Sequence, residues 1–145
     1  MKKYIYLVLW YPVLLYWFIR RPHIEGAGII VEDENKVLMV RHTYGHRELW
    51  GFPGGHKKKH ESYITAAQRE LKEEVGLDLK LKEALTYETI EDFRYVTSKV
   101  FMGKYNRQPV TIQKSEIKEY KWWPKENLPA NITNATQQVL KHNLI

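Results

Sequence analysis

Residues 54–77 read GGHKKKHESYITAAQRELKEEVGL and place Glu61, Glu70, Glu73 and Glu74 within fourteen residues. Ile64, Ala67, Leu71 and Val75 fall at helical spacing, which predicts an amphipathic helix with Ser62 as its N-cap and Gly76 as its stop. Glu70, Glu73 and Glu74 are three and four residues apart, so on that helix they form one acidic edge beside the apolar stripe. Each like-charge pair costs a few tenths of a kcal/mol in isolation, and more where water is excluded. Two readings compete. The edge is a solvated helix face with Glu73 paired to Arg69 or screened by Lys72, or it is a cation site. The loop ahead of the helix, with Pro53, Gly54 and Gly55, favours the second, because glycine leaves backbone carbonyls accessible. Carboxylates and a carbonyl make a hard, all-oxygen set that suits Mg²⁺ or Mn²⁺.

Working outward, AGIIVED (27–33) and KVLMVRH (36–42) flank a turn at Glu34–Asn35 and read as a β-hairpin. A loop rich in glycine and polar residues spans 43–60. β-rich runs follow at 79–90, 94–105 and 117–123, and a last helix is expected from about Asn131 to Asn143. The sequons at Asn131 and Asn134 read as cap and surface residues.

Tyr4 to Ile19 carry no charge, include seven aromatics, and are bracketed by Lys2/Lys3 and Arg20/Arg21. As a helix this run spans roughly 24 Å, against a hydrocarbon layer of roughly 30 Å. Two fates are open: a segment anchored in or across a membrane, or a helix packed on the domain or on a second copy of the chain. Residues 1–22 thus form a hydrophobic extension, and 23–145 a separate domain. A cleaved signal is disfavoured, since no small-x-small site follows the apolar run.

The 145 residues, 43% hydrophobic and 28% charged, suit one sizeable core. With no cysteine, disulfides, zinc–thiolate sites and cysteine nucleophiles are excluded. The net charge of +6 includes +4 from Lys2, Lys3, Arg20 and Arg21, ahead of the first acid, Glu25. The body is too balanced for a nucleic-acid footprint, so no stable nucleic-acid complex is expected.

Gly55, five residues, Glu61, seven residues, and then Arg69-Glu70-Leu71-Lys72-Glu73-Glu74-Val75-Gly76-Leu77 match every fixed position of the pattern G-x5-E-x7-R-E-U-x-E-E-x-G-U, with U aliphatic. On these residues the chain resembles the Nudix hydrolases, MutT-like, from about residue 26 to 143. WGFPGG (50–55) and EYKWWPKENLP (119–129) extend the likeness. The resemblance implies an α/β/α sandwich with a mixed β-sheet, and a Mg²⁺- or Mn²⁺-dependent hydrolase of nucleoside diphosphates linked to another group. By position, Glu70, Glu73 and Glu74 would be metal ligands, with the Gly54 carbonyl a further one. Arg69 would orient the acids, and Glu61 would support the junction of loop and helix or a second metal. Many relatives take a base or extra ligand from a later carboxylate, for which Glu116 is the first candidate and Glu119 the second. Arg41 is a candidate phosphate clamp, or a surface charge at a strand end.

Several positions depart from the pattern. His56-Lys57-Lys58-Lys59-His60 is unusually cationic, so Lys57 and its neighbours could grip substrate phosphates or be solvated. The proline that marks many ADP-ribose hydrolases, expected around Asp92, is missing, and so is the LLTxR pattern of coenzyme A hydrolases. LPAN (128–131) resembles the segment that places a base-reading asparagine in MutT-type enzymes, which makes Asn131 a substrate candidate or a helix cap. The leading expectation is a (d)NTP pyrophosphohydrolase. A dinucleoside polyphosphate or RNA 5′-end pyrophosphohydrolase is the rival, and a non-catalytic nucleotide-binding module is the alternative of another class. The expected setting is cytoplasmic, with attachment to the inner membrane face through residues 4–19, or a homodimer, as the open questions.

Overall fold

Side-chain alternation along the two central strands sorts the core into two layers. In β1 (His23–Asp33) and β2 (Lys36–His42), Ile29, Val31, Leu38 and Val40 face one side of the sheet, while Ile30, Val37 and Met39 face the other. The computed structural model describes residues 2–45 and 47–145, with residues 2–10 described by their backbone alone. The two strands form the expected hairpin. Asp33 pairs with Lys36, and Glu34 takes a φ of 54° in the turn.

The remaining strands are β3 (Gly54–His56), β4 (Lys82–Glu91), β5 (Arg94–Lys104) and β6 (Ile117–Pro124). They assemble in the order β4-β5-β1-β2-β6, with β3 added alongside β1. β1 and β5 run parallel and the other pairs antiparallel, which makes the sheet mixed. One helix, α2 (Tyr63–Val75), lays Ala66, Ala67, Leu71 and Val75 on the first face. Another, α3 (Asn134–Lys141), sets Val139 against the second. The result is the α/β/α sandwich that the resemblance implies.

Both ends of α2 follow from side-chain and glycine chemistry. Ser62 Oγ accepts the Thr65 N–H at the start. Gly76, at φ 72°, ends the helix and donates its N–H to the Lys72 carbonyl. Three boundaries differ from the sequence reading. The glycine-rich loop contains β3, whose Gly54–His56 backbone pairs with Gly26–Gly28 of β1. The buried stripe of α2 runs through both Ala66 and Ala67, leaves Ile64 half-buried, and takes in Glu70 and Glu74. The last helix begins at Asn134 and is capped by Thr133, whose hydroxyl accepts the Thr136 N–H. Asn131 is not the cap. Its carbonyl accepts the Trp50 N–H, and its side-chain amide donates to the Glu48 carbonyl.

The extension forms α1 (Lys2–Arg20), a helix that carries Pro12 within it. It meets the domain at its C-terminal end, where Phe18 packs edge-on against Phe93 at 5.3 Å and Arg94 stacks over Trp17 at 4.3 Å. Among the described residues no helix is long and apolar enough to cross a membrane. The expectation for residues 4–19 rests in part on side chains 4–10, which lie outside the described residues.

Candidate active site

Glu74 is the deepest carboxylate of the molecule's acidic edge, 1% exposed. A buried carboxylate needs partners for both oxygens. His42 supplies one, with Nε2 2.8 Å from Oε1, and the Gly54 N–H supplies the other, 2.9 Å from Oε2. The bond to Glu74 raises the His42 imidazole above its usual pKa of about 6.5 despite partial burial, and the charges of Glu116 and Glu70 act in the same sense.

One helical turn back, Glu70 is also buried. Its carboxyl lies against the bare Cα of Gly55, where an added Cβ would sit 2.6 Å from it. Burial pushes the Glu70 carboxyl up, Arg69 opposes this, and the neighbouring Glu74 and Glu73 charges reinforce it. The preceding residue, Gly54, takes φ 152°, and a Cβ there would meet the Ala27 carbonyl at 2.3 Å. Two adjacent glycines are therefore required, one by close backbone approach and one by the carboxyl it accommodates.

Arg69 holds the outer carboxylates. Its guanidinium donates to both oxygens of Glu61 at 2.6 and 3.1 Å, to Glu70 at 2.6 Å, to Glu73 at 3.1 Å, and to the His56 carbonyl at 3.1 Å. The planar fork suits this many oxygens as a lysine ammonium could not. With Arg69 as the main cause, and the Lys58 N–H as the next, Glu61 is lowered to about 2. Glu73, its side chain 48% exposed, closes the group on the solvent side.

Among the described residues no three His, Asp or Glu side chains stand in a cation-holding arrangement. Arg69, His42 and the Gly54 N–H take up the carboxylate oxygens instead. The donor set nevertheless fits a divalent cation. Glu70 and Glu74 offer hard oxygens one turn apart, and the glycine cradle leaves room against the Glu70 carboxyl that any side chain would fill. Glu70, Glu74 and, from the exposed side, Glu73 would hold it. Gly54 enters this site through its N–H.

A cleft of about 270 Å³ opens beside this group, lined by Gly54, Gly55 and His42 at one part. Gly26, Gly28, Phe52, Tyr87 and Val96 give it an apolar floor and walls, and Glu91 and Arg94 are polar groups on its lining.

The structure distributes the other sequence candidates unevenly. Glu116 stands just before β6, its carbonyl accepting the Thr43 N–H and its carboxylate bonded to Gln113 at 3.3 Å. Its charge reaches His42 and Tyr44. Arg41 faces away from the acidic edge: it pairs with Glu119 and Glu48 and lies 5.3 Å over the Trp50 ring. Lys57 turns to Glu25 at 2.9 Å and lies 5.4 Å over Tyr63. Asn131 braces the Glu48–Trp50 segment as described above. His42 was missed by the sequence reading, and strand parity carries its signal. Leu38 and Val40 face α2, so residue 42 does too, while Arg41 follows Val37 and Met39 to the opposite face.

Known proteins match this arrangement. The NUDIX domain family model matches residues 22–142. An RNA pyrophosphohydrolase of Pelagibacter ubique is 28% identical over 136 residues, covering 81% of this chain and 86% of that protein. The 111R protein of Invertebrate iridescent virus 3 is 39% identical over 71 residues, 48% of this chain, and the matched part spans only 40% of the viral protein's length. In structure, a MutT NUDIX hydrolase of Burkholderia pseudomallei superposes with a TM-score of 0.76 at 20% identity, covering 82% of this chain and 96% of that one. The family match begins one residue before β1 and runs to the C-cap of α3, so it takes in the whole sandwich and the acidic edge of α2: the chain belongs to the NUDIX domain family.

Proposed function

We propose that the chain is a divalent-metal-dependent hydrolase of a phosphoanhydride bond in a nucleoside diphosphate-X substrate, and that a (d)NTP is that substrate. The observation that carries this reading is the pair of buried carboxylates, Glu70 and Glu74, set against the Gly54–Gly55 backbone beside the cleft. Burying two acids side by side is costly unless positive charge or donors compensate them. When bound there, a divalent cation supplies neutralisation of the phosphate charge and lowers the pKa of a coordinated water.

The chain's own residues do the rest. The apolar lining of Phe52, Tyr87 and Val96 suits the flat faces of a base, and Arg94 suits a phosphate or sugar oxygen. Arg69 keeps Glu61, Glu70 and Glu73 together. A carboxylate takes the proton of the attacking water, and Glu116, whose charge reaches His42, is the candidate outside α2. Oxygen adds to phosphorus, the P–O anhydride bond breaks, and the products are a nucleoside monophosphate and pyrophosphate.

A second reading, an RNA 5′-end pyrophosphohydrolase, is favoured by the similarity to the Pelagibacter enzyme over most of both chains and by the exposed Lys58 and Lys59, two and three residues after His56 on the cleft lining. One assay decides: a panel of nucleoside triphosphates, dinucleoside polyphosphates and triphosphorylated RNA with Mg²⁺, comparing the wild type with Glu74→Gln. Nucleotide hydrolysis lost in the variant supports the leading reading, and release confined to RNA transfers it to the second. No hydrolysis by either protein, with nucleotide still bound, overturns both in favour of a binding module.

A further inference from the structure

The exposed apolar surface of the molecule is not scattered. On α1, Tyr11, Leu15 and Ile19 are 66%, 59% and 69% exposed and recur every four residues, with Tyr16 and Phe18 open beside them. Where α1 meets the domain, the tip of the β4–β5 hairpin adds exposed Ile90, Phe93 and Tyr95. The two parts meet through Phe18 on Phe93 and Arg94 on Trp17, and Arg21, directly after α1, donates to the Tyr95 hydroxyl at 3.4 Å. Exposed apolar side chains clustered on one helix and the hairpin tip it touches mark a surface that something covers.

Charge decides what covers it. Lys2 and Lys3 precede the uncharged run, Arg20 and Arg21 follow it, and no acid occurs before Glu25. A second copy of the helix would set these cations against each other whether paired parallel or antiparallel, with no carboxylate on α1 to answer them. An apolar helix without a polar face also leaves half of its surface wet in any pair. An anionic bilayer answers both demands. Its acyl boundary takes the apolar side chains, tyrosine and tryptophan settle at the headgroup level, and phosphates receive the flanking cations. Asp92, at the hairpin tip, is paired with Arg94.

We propose that α1 and the tip of the β4–β5 hairpin form one docking surface for an anionic phospholipid bilayer. Glu91 and Arg94 belong to the same hairpin and line the cleft, so the docked chain presents its cleft within side-chain reach of the headgroups. This inference is independent of the substrate reading, since it concerns binding alone.

The test is flotation of the full chain with vesicles of phosphatidylcholine alone, and of phosphatidylcholine with phosphatidylglycerol, with sedimentation of the chain without lipid. The wild type should float with both and better with the anionic vesicles. Leu15→Lys with Ile19→Lys, at exposed positions that do not hold the fold, should lower binding to the neutral vesicles roughly tenfold or more. Arg20→Ser should lower binding by on the order of fivefold on anionic vesicles, and leave it unchanged on neutral ones. A wild-type chain that stays unbound with both vesicle types overturns the proposal. So does a wild-type dimer without lipid that Leu15→Lys with Ile19→Lys turns into a monomer without changing vesicle binding. Circular dichroism of each variant confirms that the fold survives.

Discussion

Glu74→Gln keeps the shape of the deepest side chain and removes its charge, so its effects trace the electrostatics of the site. In the wild type one oxygen of Glu74 accepts from Gly54 N–H and the other meets His42 Nε2. Glutamine has only one acceptor oxygen. If that oxygen stays on Gly54, the amide NH₂ faces His42 Nε2, an arrangement that satisfies both groups only when Nε2 is unprotonated. Above the imidazole range the substitution therefore exchanges a charge-assisted bond of about 1.5–3 kcal/mol for a neutral one of about 1 kcal/mol, a loss of roughly 1 kcal/mol. Below it, two donors confront each other in a part-buried site, and the loss grows to roughly 3 kcal/mol. The sign follows from the direction of the shift. The folded His42 pKa is raised, so its stabilising contribution is full below about pH 6.5 and disappears as pH rises through the folded value. In the variant the main cause of that rise is gone, burial acts against the charged form, and the contribution reverses. Urea denaturation of both proteins at about pH 5.5 and about pH 8.5, in chelator, should show the gap between them widening toward acid. NMR titration of His42 should show its pKa falling in the variant. A gap independent of pH, or an unshifted His42, would refute the coupling between these residues.

Arg69→Ala should destabilise the chain by about 3 kcal/mol, the lower end for breaking a buried ion pair, because the guanidinium retains some exposure while three carboxylates depend on it. Arg69→Lys should recover less than half, since an ammonium cannot reproduce the fork, and urea denaturation measures both. Gly55→Ala forces its new methyl onto the Glu70 carboxyl, so turnover should fall by roughly 10–100-fold while the far-ultraviolet dichroism stays that of the wild type. Glu61, held at about 2 in the fold against 4.5 unperturbed, contributes stability that is present above pH 4.5 and lost as pH falls toward 2. Glu61→Gln should flatten that acid limb in a plot of Tm against pH, and an unchanged limb would count against the Arg69–Glu61 pair.

Much of this site was legible because its information is local. Helix spacing placed Glu70, Glu73 and Glu74 on one edge, and capping chemistry placed Ser62 and Gly76. Depth was not legible. Periodicity put the acids beside the apolar stripe, yet Glu70 and Glu74 lie within the buried face and Glu73 outside it, a distinction set by how α2 sits on β1 and β3. Long-range partners were also hidden. Nothing in the sequence near Lys57 announces Glu25, thirty-two residues earlier, its ion-pair partner within a cationic run that the sequence leaves open to a phosphate grip or to solvent. β3 escaped because three residues rich in glycine carry no alternation, and only their pairing with β1 makes them a strand. Arg41 and His42 differ in another way, since counting parity from Leu38 and Val40 assigns each to its face without any structure.

The four carboxylates of the site are held by different means, and the differences bear on what the site is for. Glu61 is tied on both oxygens by Arg69 and the Lys58 N–H, which fixes it as a brace for the loop. Glu73 keeps contact with water. Glu74 is satisfied by a neutral donor and by an imidazole that can lose its proton. Glu70 is raised by burial and shares Arg69 with two other acids. A site built for stability alone would replace such a buried cluster with apolar side chains, which cost less to bury. Here the two inner acids keep their polarity while their compensation is divided among Arg69, a titratable ring and a backbone N–H. A doubly charged cation would compete with Arg69 and His42 for the oxygens of Glu70 and Glu74, while Glu61 and the paired glycines hold the loop without it. That division of labour, rigid outer brace and exchangeable inner partners, is what a reversible cation site on one edge of a helix requires.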